Sequence, residues 1–163
     1  SKIIKSVISF AKSGGLLLGI CNGFQILTET ELLSGALLRN EYSEFICKNI
    51  YVKINNTKNN YFKNIKKNTL ELHIAHNEGN YFCSDDQMKE IEDNDQIGLF
   101  YCNDKGEVVE NYNPNGSKKN IAGLFNKEKN ILGMMPHPER MIDKHLSGDD
   151  GVIFFENLLN NLK

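Results

Sequence analysis

Arginine is nearly absent from this sequence, which contains only two, Arg39 and Arg140, among its 19 basic residues. The 21 acidic residues leave a formal net charge of -2 at pH 7, which gives no reason to expect nucleic acid or an anionic membrane as a partner. Long apolar runs are missing too, since the longest, from Gly14 to Cys21, is far too short to span a bilayer. We expect an ordinary soluble protein with one domain, over residues 1–163.

Paired cysteines are also absent. The four cysteines are Cys21, Cys47, Cys83 and Cys102. None forms a C-x-x-C pair, and the segment with His73 and His76 has no cysteine at zinc-finger spacing, so we expect no metal site. Four cysteines in a chain of this length, without a secretory pattern, are typical of reduced thiols in a cytoplasmic enzyme. The last three lie in strand-like segments and are expected in the core.

Hydrophobic periodicity predicts an α/β fold. Residues 1–12 have the apolar spacing of one helix face, residues 16–20 form a strand that is apolar on both faces, and a helix over 24–31 follows. The remaining predicted helices cover 85–92 and 152–162. The remaining predicted strands cover 45–54, 70–75, 96–102, 108–109, 121–125 and 131–135. The polar segment 55–68 is expected to be a mobile loop.

The opening helix has no strand before it. A doubly wound sheet normally has strands on both sides of the strand that carries the site. We therefore expect that N-terminal strands of the parent protein are absent and that 1–163 is the C-terminal portion of its domain.

The segment around Cys21 has the layout of a nucleophile elbow, in which a buried strand leads through a sharp turn into a helix. Gly19 and Gly23 stand two residues before and after the cysteine, where a side chain is expected to collide with the crossing strand or helix. The start of a helix lowers a thiol pKa and offers backbone N–H groups to an oxyanion. The alternative is that Cys21 is a small buried core residue.

A second candidate segment holds His137 between two prolines, Pro136 and Pro138, directly after an apolar strand. The prolines fix the backbone of the histidine, and the carboxylate of Glu139 can accept a hydrogen bond from the imidazole and set its tautomer. An exposed turn with solvated side chains is the plain alternative. His76 follows another predicted strand and either lines the same pocket or holds a loop by hydrogen bonds.

Several segments together resemble the glutaminase subunits of phosphoribosylformylglycinamidine synthase, within the class I glutamine amidotransferases. They are GICNGFQIL (19–27), LLSGALLRNE (32–41), IAHNEGNYF (74–82), IAGLFN (121–126) and ILGMMPHPER (131–140). The resemblance implies a flavodoxin-like fold, with a mostly parallel sheet flanked by helices. It departs from the family at the front, where members carry further strands and a glycine-rich loop with a second oxyanion donor.

The resemblance also implies roles for individual residues. Cys21 attacks the glutamine carboxamide to give a thioester and ammonia, His137 acts as base and acid, and Glu139 orients it. The substrate-binding residues implied or suggested are Asn22, Gly23, Gln25 and His76. The chain itself needs no cofactor. Ammonia passes to a synthetase subunit that uses ATP and Mg²⁺ and, in some bacteria, works with a small third subunit.

Other classes of function stay open at this stage. The chain is alternatively the glutaminase domain of a fused single-chain synthase, or another class I amidotransferase. A cysteine hydrolase or chaperone of the wider elbow superfamily usually has a histidine close behind the elbow, and none follows Cys21. A catalytically weak fragment that acts only as an interaction module is the remaining alternative.

Overall fold

The computed structural model describes residues 2–162 and has an α/β architecture. The helices are α1 (Lys2–Lys12), α2 (Asn22–Glu29), α3 (Asp85–Asp93) and α4 (Asp150–Asn161). The strands are β1 (Leu17–Ile20), β2 (Ala36–Leu38), β3 (Ile46–Ile54), β4 (Thr69–His76), β5 (Asn80–Phe82), β6 (Ile97–Cys102), β7 (Ile121–Phe125) and β8 (Ile131–Met134). Every predicted helix appears within a few residues of its expected bounds, and so does every predicted strand but one.

Six strands form one sheet in the order β1-β8-β7-β6-β3-β4, and β2 and β5 form a separate antiparallel pair. The α/β class is confirmed. Among the pairings that the described residues make in the large sheet, β1–β8 is parallel and the other four are antiparallel, unlike the mostly parallel sheet that the resemblance implies. For β7 and β8 the short connection over residues 126–130 explains the direction, because only antiparallel neighbours can be joined so directly.

Helices and loops cover both faces of the large sheet. On one face Phe154 of α4 packs with Tyr61 and Phe62 from the loop after β3. On the other face Phe24 of α2 shares a cluster with buried side chains of α1 and α3, which are Ala11, Met88 and Ile91. The chain therefore forms three layers, with the sheet in the middle.

The first strand is less buried than its composition suggests. Leu16, Leu18 and Ile20 pack toward the α4 face and Leu17 toward the α2 face, as a period of two requires. In β1 only Gly19 is buried, and the other residues are half-buried. Within the described residues β1 lies at the edge of the sheet and pairs with β8 alone, so the expectation of a fully buried strand is wrong here.

The loop over residues 55–68 is polar in sequence but firmly anchored. Tyr61 and Phe62 are almost fully buried, and the Tyr61 hydroxyl lies 2.8 Å from both the Leu17 and the Asn130 carbonyl oxygens. These two acceptors stand where β1 and β8 begin. The predicted loop is confirmed, but its two aromatic side chains tie it to the core, contrary to the expected mobility.

Two further expectations need correction. Val108 and Val109 form no strand, and both side chains are exposed, because the segment leads into a short 3₁₀ turn instead of pairing. Cys83 and Cys102 are buried as expected, whereas Cys47 is exposed on the outward-facing side of β3. Strands β2 and β5 were not predicted. Of the helices in residues 2–162, none has the length and apolar character to cross a membrane.

Candidate active site

Cys21 stands in a strained turn between β1 and α2. Its φ of 52° and ψ of -106° are unusual for a residue with a side chain. The turn is held because the Cys21 amide donates to the Met134 carbonyl at 2.8 Å and the Gln25 amide donates to the Cys21 carbonyl at 3.2 Å. The predicted elbow is therefore present, and the neighbouring strand β8 fixes its position.

The two glycines beside the elbow have different roles. A Cβ atom at Gly19 would lie 2.5 Å from Leu27 Cδ1 and 2.8 Å from the backbone carbonyl of Gly23, so only glycine fits there. A Cβ atom at Gly23 would meet nothing within 4 Å. The expected collision is confirmed at Gly19, where an added Cβ would meet the backbone of Gly23. It is wrong at Gly23, because a Cβ added there would point into open space.

The thiol of Cys21 is half-buried, and its Sγ lies 4.0 Å from the Ala75 carbonyl oxygen. Burial raises the pKa of Cys21 above its ordinary value, and the Glu139 carboxylate acts in the same direction. The Asn22 backbone N–H and the Arg140 charge lower the same pKa, but burial outweighs them. The helix start thus acts as expected, although the net direction of the shift is upward.

The ring of His137 is held by a residue close to it in sequence. It is mostly buried, and its Nδ1 lies 2.5 Å from Oε1 of Glu139 in the 3₁₀ turn Pro138–Arg140. Because a carboxylate can only accept, Nδ1 carries a proton, and in the neutral form of the ring Nε2 is the nitrogen that keeps its lone pair. Nε2 is buried, and nothing in residues 2–162 forms a hydrogen bond with it. A buried ring nitrogen without a partner requires an explanation.

The curled sheet brings the two candidate segments to the same end of β1 and β8. Cys21 is bonded to Met134 O at the end of β8, and His137 follows three residues later. The His137 amide donates to the His73 carbonyl at 2.7 Å, which closes β4 onto this end. No hydrogen bond joins the Cys21 thiol to His137 in this structure, because the sulfur is directed toward Ala75.

A small open cavity of about 280 Å³ lies against the elbow. Its lining residues are Cys21, Asn22, Gln25, His76, Asn77 and Glu78. Three of the four predicted substrate-binding residues line it, and Gly23 does not. Asn77 and Glu78 were missed, although the turn directly after a predicted strand was a signal for them. Gln25 Nε2 donates to Glu78 Oε2 at 3.3 Å across the cavity. A larger cavity of about 600 Å³ lies between Asn40 and Pro114 and contains no predicted catalytic residue.

His76 is buried behind this cavity in a network of amides. Its Nδ1 lies 3.0 Å from Asn40 Oδ1, and its Nε2 lies 3.4 Å from Asn115 Nδ2. Asn40 Oδ1 also accepts from the Gly79 amide at 3.0 Å, and Asn115 Nδ2 donates to the Gly79 carbonyl at 2.8 Å. Burial, and then the nearby His137, lower the pKa of His76 to about 4. His76 is therefore neutral at pH 7 and holds the turn 76–79 that walls the cavity.

Across residues 2–162, no three His, Cys, Asp or Glu side chains come together in a way that could hold a metal ion.

Comparison with known proteins assigns the family. Residues 1–148 match the model of the CobB/CobQ-like glutamine amidotransferase domain. The chain is 69% identical over 163 residues to phosphoribosylformylglycinamidine synthase subunit PurQ of Pelagibacter ubique, covering 100% of this chain and 72% of that protein. The chain belongs to the PurQ family of glutamine amidotransferases. The corresponding PurQ subunit of Aquifex aeolicus is 42% identical over 160 residues, covering 98% of this chain and 70% of that subunit.

Solved structures also resemble this chain. The structure of PurLQS from Thermotoga maritima matches with a TM-score of 0.83 at 36% identity, covering 100% of this chain and 69% of that one. A putative GMP synthase subunit from Thermoplasma acidophilum matches with a TM-score of 0.58 at 17% identity, covering 96% of this chain and 62% of that one. The second likeness shows the shared fold alone.

Proposed function

We propose that this PurQ-family chain is the glutaminase component of phosphoribosylformylglycinamidine synthase and releases ammonia from glutamine. The observation that carries the proposal is the buried Nε2 of His137, which lacks a partner while Glu139 holds the other ring nitrogen. This orphaned atom lies at the sheet end where the strained Cys21 elbow stands. An imidazole oriented by a carboxylate, at the same end of the sheet as a cysteine in a strained turn, suits acyl transfer.

The first half of the reaction forms a thioester. The Cys21 sulfur turns from Ala75 toward His137 Nε2, which takes the thiol proton, and the thiolate adds to the glutamine side-chain carbonyl carbon. The backbone N–H of Asn22 donates to the resulting oxyanion. His137 then returns the proton to the amide nitrogen, the C–N bond breaks, and ammonia leaves.

The second half regenerates the thiol. His137 Nε2 takes a proton from water, and the hydroxyl adds to the thioester carbon. The C–S bond breaks, glutamate leaves, and the proton returns to the Cys21 sulfur. Glu139 keeps the proton on Nδ1 throughout, so that Nε2 alone exchanges protons with substrate.

The partners follow from the same proposal. The Thermotoga maritima structure is named as PurLQS, an assembly in which a PurQ relative is present. We assign to this chain the same kind of partners: a synthetase subunit, with a small third subunit beside it. The synthetase uses ATP and Mg²⁺ to convert formylglycinamide ribonucleotide to its amidine with the ammonia. Free thiols at all four cysteines support a cytoplasmic location.

Trapping with 6-diazo-5-oxonorleucine, a reactive glutamine analogue, tests this function on the protein assembled with its synthetase subunit. We expect the peptide with Cys21 to gain the mass of the adduct, and excess glutamine to slow this labelling. Labelling of another cysteine in its place would overturn the assignment. An unlabelled Cys21 in an intact assembly would favour a module that only binds the synthetase.

A further inference from the structure

A second group of reactive side chains lies on the outward-facing side of strands β3 and β4. Asn49 stands directly opposite His73 in the antiparallel ladder, and Cys47 pairs with Ala75, one diagonal step away. Glu71 belongs to the same face, two residues before His73. Side chains at opposite and diagonal positions of such a ladder reach one another. Cys47, Asn49, Glu71 and His73 thus form a continuous cluster, which we call the β3–β4 cluster.

Hydrogen bonds in this cluster form a chain that leads from Glu71 through Asn49 and His73 to the thiol of Cys47. Asn49 Nδ2 donates to Glu71 Oε1 at 3.1 Å, so the other amide atom, Oδ1, faces His73. His73 Nδ1 lies 2.9 Å from that oxygen and must carry the proton it donates. His73 Nε2 is then the unprotonated nitrogen, and it lies 3.4 Å from Cys47 Sγ. The Glu71 carboxylate therefore determines, through Asn49, which nitrogen faces the thiol.

We propose that the β3–β4 cluster is a thiol modification site, in which Cys47 is the nucleophile, His73 its base and Asn49 the group that orients the base. A nucleophile within hydrogen-bond reach of a base, with the base oriented by a third group, is the arrangement that activates cysteine. The proposal is independent of glutamine hydrolysis. Its co-reactant is a low-molecular-weight disulfide such as glutathione disulfide.

The exchange step balances as follows. His73 Nε2 takes the Cys47 proton, and the thiolate attacks one sulfur of the disulfide. A new S–S bond forms at Cys47 while the original S–S bond breaks. The departing thiolate then receives the proton from His73. Cys47 is oxidised to a mixed disulfide, and half of the small disulfide is reduced to a thiol.

The surroundings of His73 suit a base at neutral pH. Partial burial, with the nearby Arg140 and His137 adding to it, lowers the pKa of His73, so that the ring is unprotonated at pH 7. Cys47 also differs from the other three cysteines in its exposure to solvent. Cys83 and Cys102 are buried, and Cys21 is half-buried. A disulfide in solution can therefore reach Cys47 without opening the fold.

The cluster is directly connected to the candidate active site. The carbonyl of His73 accepts the His137 amide at 2.7 Å, so the base of the cluster and the base proposed for glutamine hydrolysis share a backbone hydrogen bond. An adduct at Cys47 would lie against the His73 ring, and the backbone of the same residue is bonded to His137.

Peptide-level mass spectrometry tests the proposal on the assembled protein. The protein is incubated with glutathione disulfide, the remaining thiols are trapped with N-ethylmaleimide, and the rate at each cysteine is measured separately. The matched control places an exposed thiol on the same strand without a histidine partner, as Lys53→Cys in a Cys47→Ser background. We expect Cys47 to react at least about tenfold faster than this control thiol. Equal rates would overturn the proposal.

Two variants assign the roles within the cluster. His73→Gln removes the base, and we expect the rate at Cys47 to fall about tenfold or more. Asn49→Ala leaves the base but frees its tautomer, so a smaller fall is expected. If the buried Cys83 and Cys102 stay unreactive in a variant, that variant is folded. If His73→Gln does not fold, the Cys47 rate in Asn49→Ala tests the proposal instead. An unchanged Cys47 rate in a folded variant would contradict the assigned role.

Discussion

His137 Nδ1 and Glu139 Oε1 lie 2.5 Å apart, although only Pro138 separates the two residues in the chain. A carboxylate this close accepts the Nδ1 proton and stabilises the imidazolium that forms when Nε2 takes a second proton. The same contact explains why Nε2 is the nitrogen left without a partner. The 3₁₀ turn therefore orients the histidine with a carboxylate from the same short segment, and distant parts of the chain have only to supply the thiol.

Replacing Glu139 with Gln tests this relationship. The amide keeps the shape of the carboxylate but not its charge, so the imidazolium loses its stabilisation. We expect kcat for glutamine hydrolysis by the assembled enzyme to fall about 10²–10⁴-fold, with KM little changed. Glu156→Gln, on an exposed position of α4, is the matched control and should behave as the parent. A Glu139→Gln enzyme with kcat within twofold of the parent would remove Glu139 from the mechanism.

Glu78 offers a second prediction, because its carboxylate lies at the cavity beside Gln25 and suits the α-ammonium group of glutamine. Glu78→Gln should raise KM for glutamine about three- to tenfold, equivalent to roughly 0.7–1.4 kcal/mol, and leave kcat nearly unchanged. The comparison substrate is 4-carbamoylbutanoate, which lacks the amino group. Parent and variant should use it equally poorly. A variant that still prefers glutamine as strongly as the parent would show that Glu78 does not bind the ammonium.

The glycines at the elbow give a matched pair of substitutions. Gly19→Ala forces a Cβ to within 2.8 Å of the Gly23 carbonyl, and we expect a loss of about 1–3 kcal/mol in the free energy of unfolding. Gly23→Ala meets no atom within 4 Å and lies inside α2, where alanine is favoured over glycine by up to about 1 kcal/mol. Urea unfolding of the two variants measures both values. Equal destabilisation by the two changes would contradict the packing described here.

Much of this site was predictable because its signals are local. The apolar run before Cys21, the glycine at 19 and the prolines around His137 each restrict the backbone within a few residues. These features identify the elbow and the histidine turn before any contact between them is known. The exposed position of Cys47 was not predictable in this way, because the apolar residues Phe45 and Ile46 precede it and its outward face is decided by pairing with β4.

The rest depends on contacts between distant parts of the chain. Strands β2 and β5 have three residues each, too short to show a period of two. The anchoring of residues 55–68 depends on Tyr61 reaching the ends of two strands, which no local pattern encodes. Likewise Asn40 and Asn115 reach His76 from segments 36 and 39 residues away in sequence. From the sequence, His76 is only a histidine near a strand end. The sequence does not show that both of its ring nitrogens have hydrogen-bond partners.

The buried, hydrogen-bonded position of His76 predicts how the stability of the fold depends on pH. The pKa of His76 is about 4 in the folded chain against an ordinary 6.5, so between these values the unfolded chain binds more protons. The stability of the neutral His76 arrangement is present in full above pH 6.5 and is lost as pH falls toward 4. The loss is about 3 kcal/mol at most.

Urea unfolding at several pH values between 7 and 4 measures this loss. His76→Gln should be less stable than the parent at pH 7, because the network with Asn40 and Asn115 is weakened. Its stability should nevertheless decline less steeply on acidification, because the residue no longer titrates. His145→Gln, at an exposed turn position, controls for the loss of one histidine and should keep the parent's slope. If His76→Gln kept that slope as well, another group would have to carry the acid sensitivity, and the network would not hold His76 neutral.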